Sequence, residues 1–267
     1  MKDFLELQGL VFDMDGVLWR GGNSLPGVET TFSILRERQI PFVLATNNAT
    51  QTFEEVRTRM ENAGVSIRQN EVLTSAVGAA SYLRQHVPVG SSIYAIGEPA
   101  LRKALEEAGY SVQESSDQVA AVVVGMDWSL TWEKLAEASY ALMNGAFFLG
   151  TNPDVSFPTE RGLAPGNGAI LAALEIATGR EATIFGKPEP HLFIEALQRI
   201  ETPATHTVAV GDRLETDILG GRRAGLPTAL VLTGVTTKEQ VASSDIQPDW
   251  IFEDLEELSR ELQKSPA

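Results

Sequence analysis

Short runs of apolar, often β-branched residues alternate with segments of helical period along most of this chain. Residues 9–13, Gly-Leu-Val-Phe-Asp, read as a buried strand, and residues 28–38 as a helix with Val28, Phe32 and Leu35 on one face. Residues 41–46 form the next strand. Thr52 then offers a helix N-cap with Glu55 three positions on, the reciprocal pairing of a capping box. Towards the other end, residues 206–211, 228–232 and 250–252 are strand-like again, with helical segments between them. Strands alternating with helices predict a parallel sheet covered on both faces, a doubly wound α/β core of Rossmann-like type.

The middle of the chain carries a pattern of its own. Residues 93–96, 119–124 and 147–149 read as strands, interleaved with helices near 99–108 and 130–143. A Pro- and Gly-rich loop follows over residues 151–168, then a helix ending near Gly179. The expected organisation is a core made of residues 1–78 and 183–267, interrupted by an inserted α/β domain over residues 79–182. Each part is long enough to bury a core of its own. There is no internal repeat and no low-complexity stretch.

Charge narrows the partners. The 267 residues carry 21 Lys+Arg against 36 Asp+Glu, a formal net charge of −15. Such a surface repels phosphate backbones and anionic lipid, so neither nucleic acid nor membrane is expected as a partner. The apolar runs are strand-sized, far short of the roughly 18 residues of a membrane span. The opening Met1-Lys2-Asp3-Phe4-Leu5-Glu6 places acids where a secretory leader needs an apolar stretch, and a cytoplasmic protein is expected. Without cysteine there is no disulfide, thiol nucleophile or thiolate metal site.

Candidate chemistry gathers at strand ends. In Asp13-Met14-Asp15-Gly16-Val17 an apolar strand ends in two aspartates one residue apart. This puts both at the carboxyl edge of the sheet, where ligands bind in open α/β folds; an ordinary Asp-Gly turn is the competing reading. Gly211-Asp212-Arg213-Leu214-Glu215-Thr216-Asp217 likewise follows an apolar strand and brings Asp212 to the same edge, unless Asp212 merely caps the helix after it. Asp217 reads as a supporting carboxylate. Two carboxylates about 4 Å apart repel by about 4 kcal/mol at an effective dielectric of 20, a cost that a divalent cation removes. An all-oxygen cluster suits Mg²⁺, whereas His86, His191 and His206 share no zinc-ligand spacing. Thr46 ends a strand, and its hydroxyl with the amides of Asn47 and Asn48 could hold phosphoryl oxygens. Lys187 lies in Gly186-Lys187-Pro188-Glu189-Pro190, a proline-fixed loop rather than a helix face. Taken singly, Thr46 could be a plain loop residue and Lys187 a solvated surface lysine.

In their order along the chain, Asp13-Met14-Asp15-Gly16-Val17, Thr46, Lys187 and Gly211-Asp212 with Asp217 resemble the four motifs of the haloacid-dehalogenase superfamily of aspartate-nucleophile phosphatases. The insert resembles the class IIA cap of the nitrophenylphosphatase and NagD-like branch, with Gly150-Thr151-Asn152-Pro153-Asp154, Phe157-Pro158 and Pro165-Gly166-Asn167-Gly168 similar to that branch's cap loop. The likeness covers nearly the whole chain.

The resemblance implies a Mg²⁺-dependent phosphomonoesterase. Asp13 would be the nucleophile, Asp15 the acid that protonates the leaving oxygen and the base for the hydrolytic water. Mg²⁺ would be held by Asp13, the backbone carbonyl of Asp15 and Asp212. Thr46, Asn47, Asn48 and Lys187 would bind the phosphoryl group, and the cap would close over the sheet edge and exclude water. Its substrate is expected to be a small phosphate ester: a sugar phosphate, nucleoside monophosphate, phosphoglycolate or aryl phosphate. Substrate choice would lie around residues 152–158. Phe157 stands there where animal pyridoxal-phosphate phosphatases have His, which argues against that substrate. Dimers through the cap occur in the branch, so a homodimer is open.

Two other readings fit less well. A receiver-like phosphate sensor also combines acids, Thr and Lys on a parallel sheet, but it is shorter and lacks the second carboxylate. A phosphotransferase would pass the phosphoryl group to a hydroxyl acceptor instead of water. No dinucleotide loop, P-loop or serine elbow is present; Gly166-Asn167-Gly168 fails because position 171 is Leu. Of the four tryptophans, Trp19 stands close enough to Asp15 to line the mouth of a site.

Overall fold

A computed structural model describes residues 7–264. The acidic opening at residues 1–6 and the tail at 265–267 lie outside the described residues. Among those described, no helix is long and apolar enough to cross a membrane.

The chain divides into two compact units. The first takes residues up to Thr46, Phe53–Leu73 and the chain from Lys187 onward; the second takes Asn47–Thr52 and Thr74–Gly186. The breaks therefore differ from the expected 78 and 183, for physical reasons. Position 78 falls inside the helix Ser75–Leu83, which packs on Pro99–Glu107 and so goes with the second unit as a whole. Thr183–Ile184 pairs with Phe147–Gly150, which carries the second unit on past residue 183. The stretch Asn47–Thr52 joins it because Asn152 Nδ2 (2.8 Å) and Ser75 Oγ (2.5 Å) both donate to the Asn47 carbonyl.

The first unit is built on a six-stranded sheet in the order Trp250–Phe252, Thr228–Val231, Thr207–Gly211, Gly9–Phe12, Phe42–Thr46, Val72–Thr74. Gly9–Phe12 runs parallel to both of its neighbours, with Phe12 opposite Val210 on one side and Leu44 on the other. All four of its residues are buried, as an interior parallel strand requires. Leu10 and Phe12 pack with Phe32 and Leu35 of the helix Val28–Glu37 and with Leu255, Leu258 and Leu262 of the helix Leu255–Lys264. The helix His191–Ile200 also packs on Phe42–Thr46 and Gly9–Phe12. Phe32 is the keystone of an aromatic row: its ring lies 5.2 Å from Phe12 and 4.7 Å, edge-on, from Phe42.

The second unit carries a five-stranded parallel sheet, ordered Thr183–Ile184, Phe147–Gly150, Ala121–Val124, Ser92–Ile96, Ser111–Gln113. The helices Trp132–Met143 and Asn167–Thr178 pack together against a core that includes Val122, Val124, Leu142, Phe148 and Leu171. The doubly wound α/β class is as expected.

Three features depart from the expectation. The loop over 151–168 contains an antiparallel hairpin, Ser156–Thr159 with Gly162–Pro165. Exposed Val155 and Leu163 flank and occupy it, so it buries no face that periodicity could reveal. A second small hairpin joins Trp19–Arg20 to Asn23–Ser24. The edge strand Ser111–Gln113 has no buried residue to mark it.

Phe32→Ala should cost about 3–5 kcal/mol of stability, the usual range for emptying a buried phenylalanine site. Urea denaturation followed on the whole chain would show a lower midpoint.

Candidate active site

Three parallel strands end side by side, and each delivers a polar residue at its carboxyl end. Gly9–Phe12 leads into Asp13, Phe42–Thr46 ends at Thr46, and Thr207–Gly211 leads into Asp212. The Asp13 amide still donates to the Val210 carbonyl at 2.8 Å, so the ladder holds Asp13 in register as its side chain leaves the sheet.

Lys187 binds this edge together. Its ammonium pairs with Asp13 and with Asp217 (2.6 Å) and donates to the Ala45 carbonyl at 3.3 Å. It is 2% exposed, the opposite of a solvated surface lysine. The other oxygen of Asp217 accepts the Arg213 amide at 3.1 Å, so both of its carboxylate oxygens are engaged. Asp212 does not cap the turn that follows it. Its Oδ2 accepts the Val235 amide at 2.8 Å, and its backbone carbonyl accepts the Thr236 amide at 3.1 Å.

Close approach explains three glycines. A Cβ on Gly211 would strike the Asp217 side chain, and one on Gly234 would strike Asp212. Gly16 takes φ +89°, and a Cβ there would meet Asp212 Oδ2 at 2.5 Å.

Oxygens of Asp13, Asp212 and Asp217 all lie within 4.8 Å of one another. Burial, reinforced by the Asp217 and Asp212 charges, raises the Asp13 carboxyl well above its ordinary value despite the opposing pull of Lys187. Burial and then the Asp217 charge push Asp212 up to about 6, against the Val235 amide, Arg213 and Lys187. Burial alone would lower Lys187; Asp13 and Asp217 more than offset it and raise it. One lysine does not neutralise the trio.

Asp15 stands apart from the carboxylate trio. Its side chain is exposed and accepts the Trp19 indole N–H at 2.9 Å. Trp19 itself is buried, 2% exposed, so it backs Asp15 instead of lining an opening. Thr46 is buried at its strand end. The side chains of Asn47 and Asn48 are engaged within the second unit: Asn47 Nδ2 donates to Asp154 (3.3 Å), and Asn48 Oδ1 accepts from the Thr50 amide (2.9 Å) and hydroxyl (2.8 Å). Sequence reasoning missed the loop Thr233–Thr236 that grips Asp212. The signal was available, since Thr233-Gly234 follows the apolar strand Thr228–Val231 of the same sheet.

Residues 10–111 match the haloacid dehalogenase-like hydrolase family, and residues 184–258 match a second, HAD-hydrolase-like description. The acid sugar phosphatase of Staphylococcus aureus is 38% identical over 259 residues, covering 97% of this chain and 99% of that one. The chain belongs to the haloacid dehalogenase-like hydrolases. Among solved structures, NagD of E. coli K-12 superposes with a TM-score of 0.86 at 35% identity, covering 93% of this chain and 97% of that one. The glycerol phosphate phosphatase of Mycobacterium tuberculosis, solved in complex with magnesium, gives a TM-score of 0.87 at 34% identity over 99% of this chain and 79% of that one. These likenesses place the chain among the NagD-like, class IIA phosphatases of the family, and it is an enzyme of that kind.

Asp212 supplies a test of the electrostatics. Its folded value of about 6 lies above the ordinary 3.8, so the folded protein binds this proton more tightly than the unfolded chain. The ionised form therefore destabilises the fold above pH 6, and the penalty fades as pH falls towards 4. Asp212→Asn should stabilise the chelator-treated protein by roughly 2–3 kcal/mol at pH 8 and by almost nothing at pH 4, measured by denaturant titration.

Proposed function

We propose that this protein hydrolyses small sugar or polyol phosphate monoesters in two steps, through an aspartyl-phosphate on Asp13, with Mg²⁺ as cofactor. The observation that carries the reading is the placing of Asp13 at the end of the central strand, ion-paired to buried Lys187 and within reach of Asp212. The names of the relatives support the substrate class, since one is an acid sugar phosphatase and another a glycerol phosphate phosphatase.

Magnesium fits the donor set. The clustered groups are all hard carboxylate oxygens, and burial, reinforced by the neighbouring acids, raises Asp13 and Asp212. Asp13, Asp212 and the Asp15 carbonyl would hold the ion, with Asp217 committed to Lys187. When bound, the ion supplies positive charge against the phosphoryl oxygens and keeps the carboxylates ionised.

The residues of the chain account for the remaining work. Lys187 binds a phosphoryl oxygen and holds Asp13 in line, and Thr46 with the amides that follow it orients the group. In the first step a carboxylate oxygen of Asp13 bonds to phosphorus, the bond from phosphorus to the ester oxygen breaks, and the Asp15 proton passes to that oxygen. In the second step a water oxygen bonds to phosphorus and gives a proton to Asp15. The bond from phosphorus to Asp13 breaks, releasing phosphate and restoring the carboxylate. We take the second unit to be the inserted cap that selects the substrate, with residues 152–158 its selecting loop.

Acid-quenching the Mg²⁺-loaded enzyme during turnover, followed by borohydride reduction, should convert residue 13 to homoserine, detected by mass spectrometry. Asp13→Asn should show neither turnover nor conversion. Turnover with no conversion at position 13 and inversion of configuration at phosphorus would mean direct attack by water.

A further inference from the structure

The turn after Asp13 folds back so that Trp19 returns to Asp15. The Met14 carbonyl accepts the amides of Val17 and Leu18, the Gly16 amide donates to the Trp19 carbonyl, and Asp15 and Trp19 form an isolated bridge. Trp19 is buried in the core of the first unit, yet its ring N–H reaches Asp15 Oδ1 at 2.9 Å. On the ring lies the guanidinium of Arg59, 4.0 Å from the centroid, carried by the helix Phe53–Asn62 and tied to the Gly21 carbonyl of the small hairpin. Burial lowers Arg59 and the Asp15 charge works against that, so the guanidinium and this carboxylate feel one another. Among the described residues, Asp15 has no other side-chain hydrogen bond or ion pair.

An exposed carboxylate on a turn ordinarily samples several rotamers. Here one oxygen is anchored to a rigid, packed ring held between the core and a cation. An indole N–H can only donate, so Oδ1 must act as acceptor whether or not the carboxyl is protonated. Oδ2 is then the oxygen that gives up and takes back the proton.

We propose that Trp19, clamped by Arg59, is the positioning residue for Asp15: its indole N–H fixes the carboxyl rotamer and dedicates Oδ2 to proton transfer. This rests on the reading of Asp15 as acid and base. Protonation matters most for a leaving group that departs poorly as an anion. Phenolate needs the proton far more than 4-nitrophenolate, so losing the Trp19 anchor should penalise the two esters unequally.

The test compares kcat/KM of the Mg²⁺-loaded enzyme for 4-nitrophenyl phosphate and phenyl phosphate. Trp19→Phe keeps the ring and its packing but removes the N–H. It should raise the ratio of the two values about tenfold, part of the roughly 10²–10⁴-fold that general acid catalysis supplies. A structural loss would lower both values together and leave the ratio where it was. Asp15→Asn should raise the ratio further. A raised ratio in Asp15→Asn with an unchanged one in Trp19→Phe would overturn the role of Trp19 while leaving that of Asp15 intact. An unchanged ratio in Asp15→Asn would overturn the acid reading and this proposal with it. Should Trp19→Phe fail to fold, Arg59→Gln provides the same comparison, with a two- to fivefold rise supporting the clamp and no rise refuting it.

Discussion

A buried ammonium between two carboxylates is the constraint on which the rest of the first unit is organised. Lys187 is almost wholly removed from water, a state several kcal/mol out of reach for an unpaired charge. Its pairing with Asp13 and Asp217 makes the position tenable, and the pairing is mutual. Without the lysine, Asp13, Asp212 and Asp217 would be three buried acids within a few ångströms. Even with it, burial and then the neighbouring acids hold Asp13 and Asp212 above their ordinary values. That cluster of oxygens is what supports the proposal of a divalent cation at the edge.

The fold supplies this arrangement through parallel strands. Because Gly9–Phe12 lies between Phe42–Thr46 and Thr207–Gly211 in matched register, residues distant in sequence emerge beside one another at one edge. Fine placement then comes from backbone. Gly211 and Gly234 allow side chains to lie where a Cβ would stand, and the Thr233–Thr236 loop holds Asp212 by its amides. The core behind the edge, with its row of Phe12, Phe32 and Phe42, keeps these strand ends from drifting.

Much of this was legible in the amino-acid pattern because it is written in local terms. Asp13 and Asp212 each follow a run of buried apolar residues, so a strand with an acid at its end could be read directly. Lys187 was legible only through its loop and its order among the other motifs. Its burial is a tertiary fact that no local pattern encodes. The hairpin of Ser156–Thr159 with Gly162–Pro165 escaped because its second strand buries no residue, and that of Trp19–Arg20 with Asn23–Ser24 because two-residue strands are too short to show alternation. The Trp19–Asp15 bond escaped for another reason: a buried tryptophan looks like packing until its one polar atom is seen to need a partner. The unit boundaries shifted because helix Ser75–Leu83 sides with its packing partner, not with the strand it follows.

The central claim is that Lys187 neutralises buried carboxylates at the sheet edge. Denaturant titrations of wild type, Lys187→Met and Lys187→Met/Asp217→Asn, in chelator at pH 8, test it most directly. The account predicts that Lys187→Met loses about 3–5 kcal/mol, because it strands buried charge. It also predicts that adding Asp217→Asn restores a large part of the loss. A Lys187→Met protein as stable as wild type would contradict it.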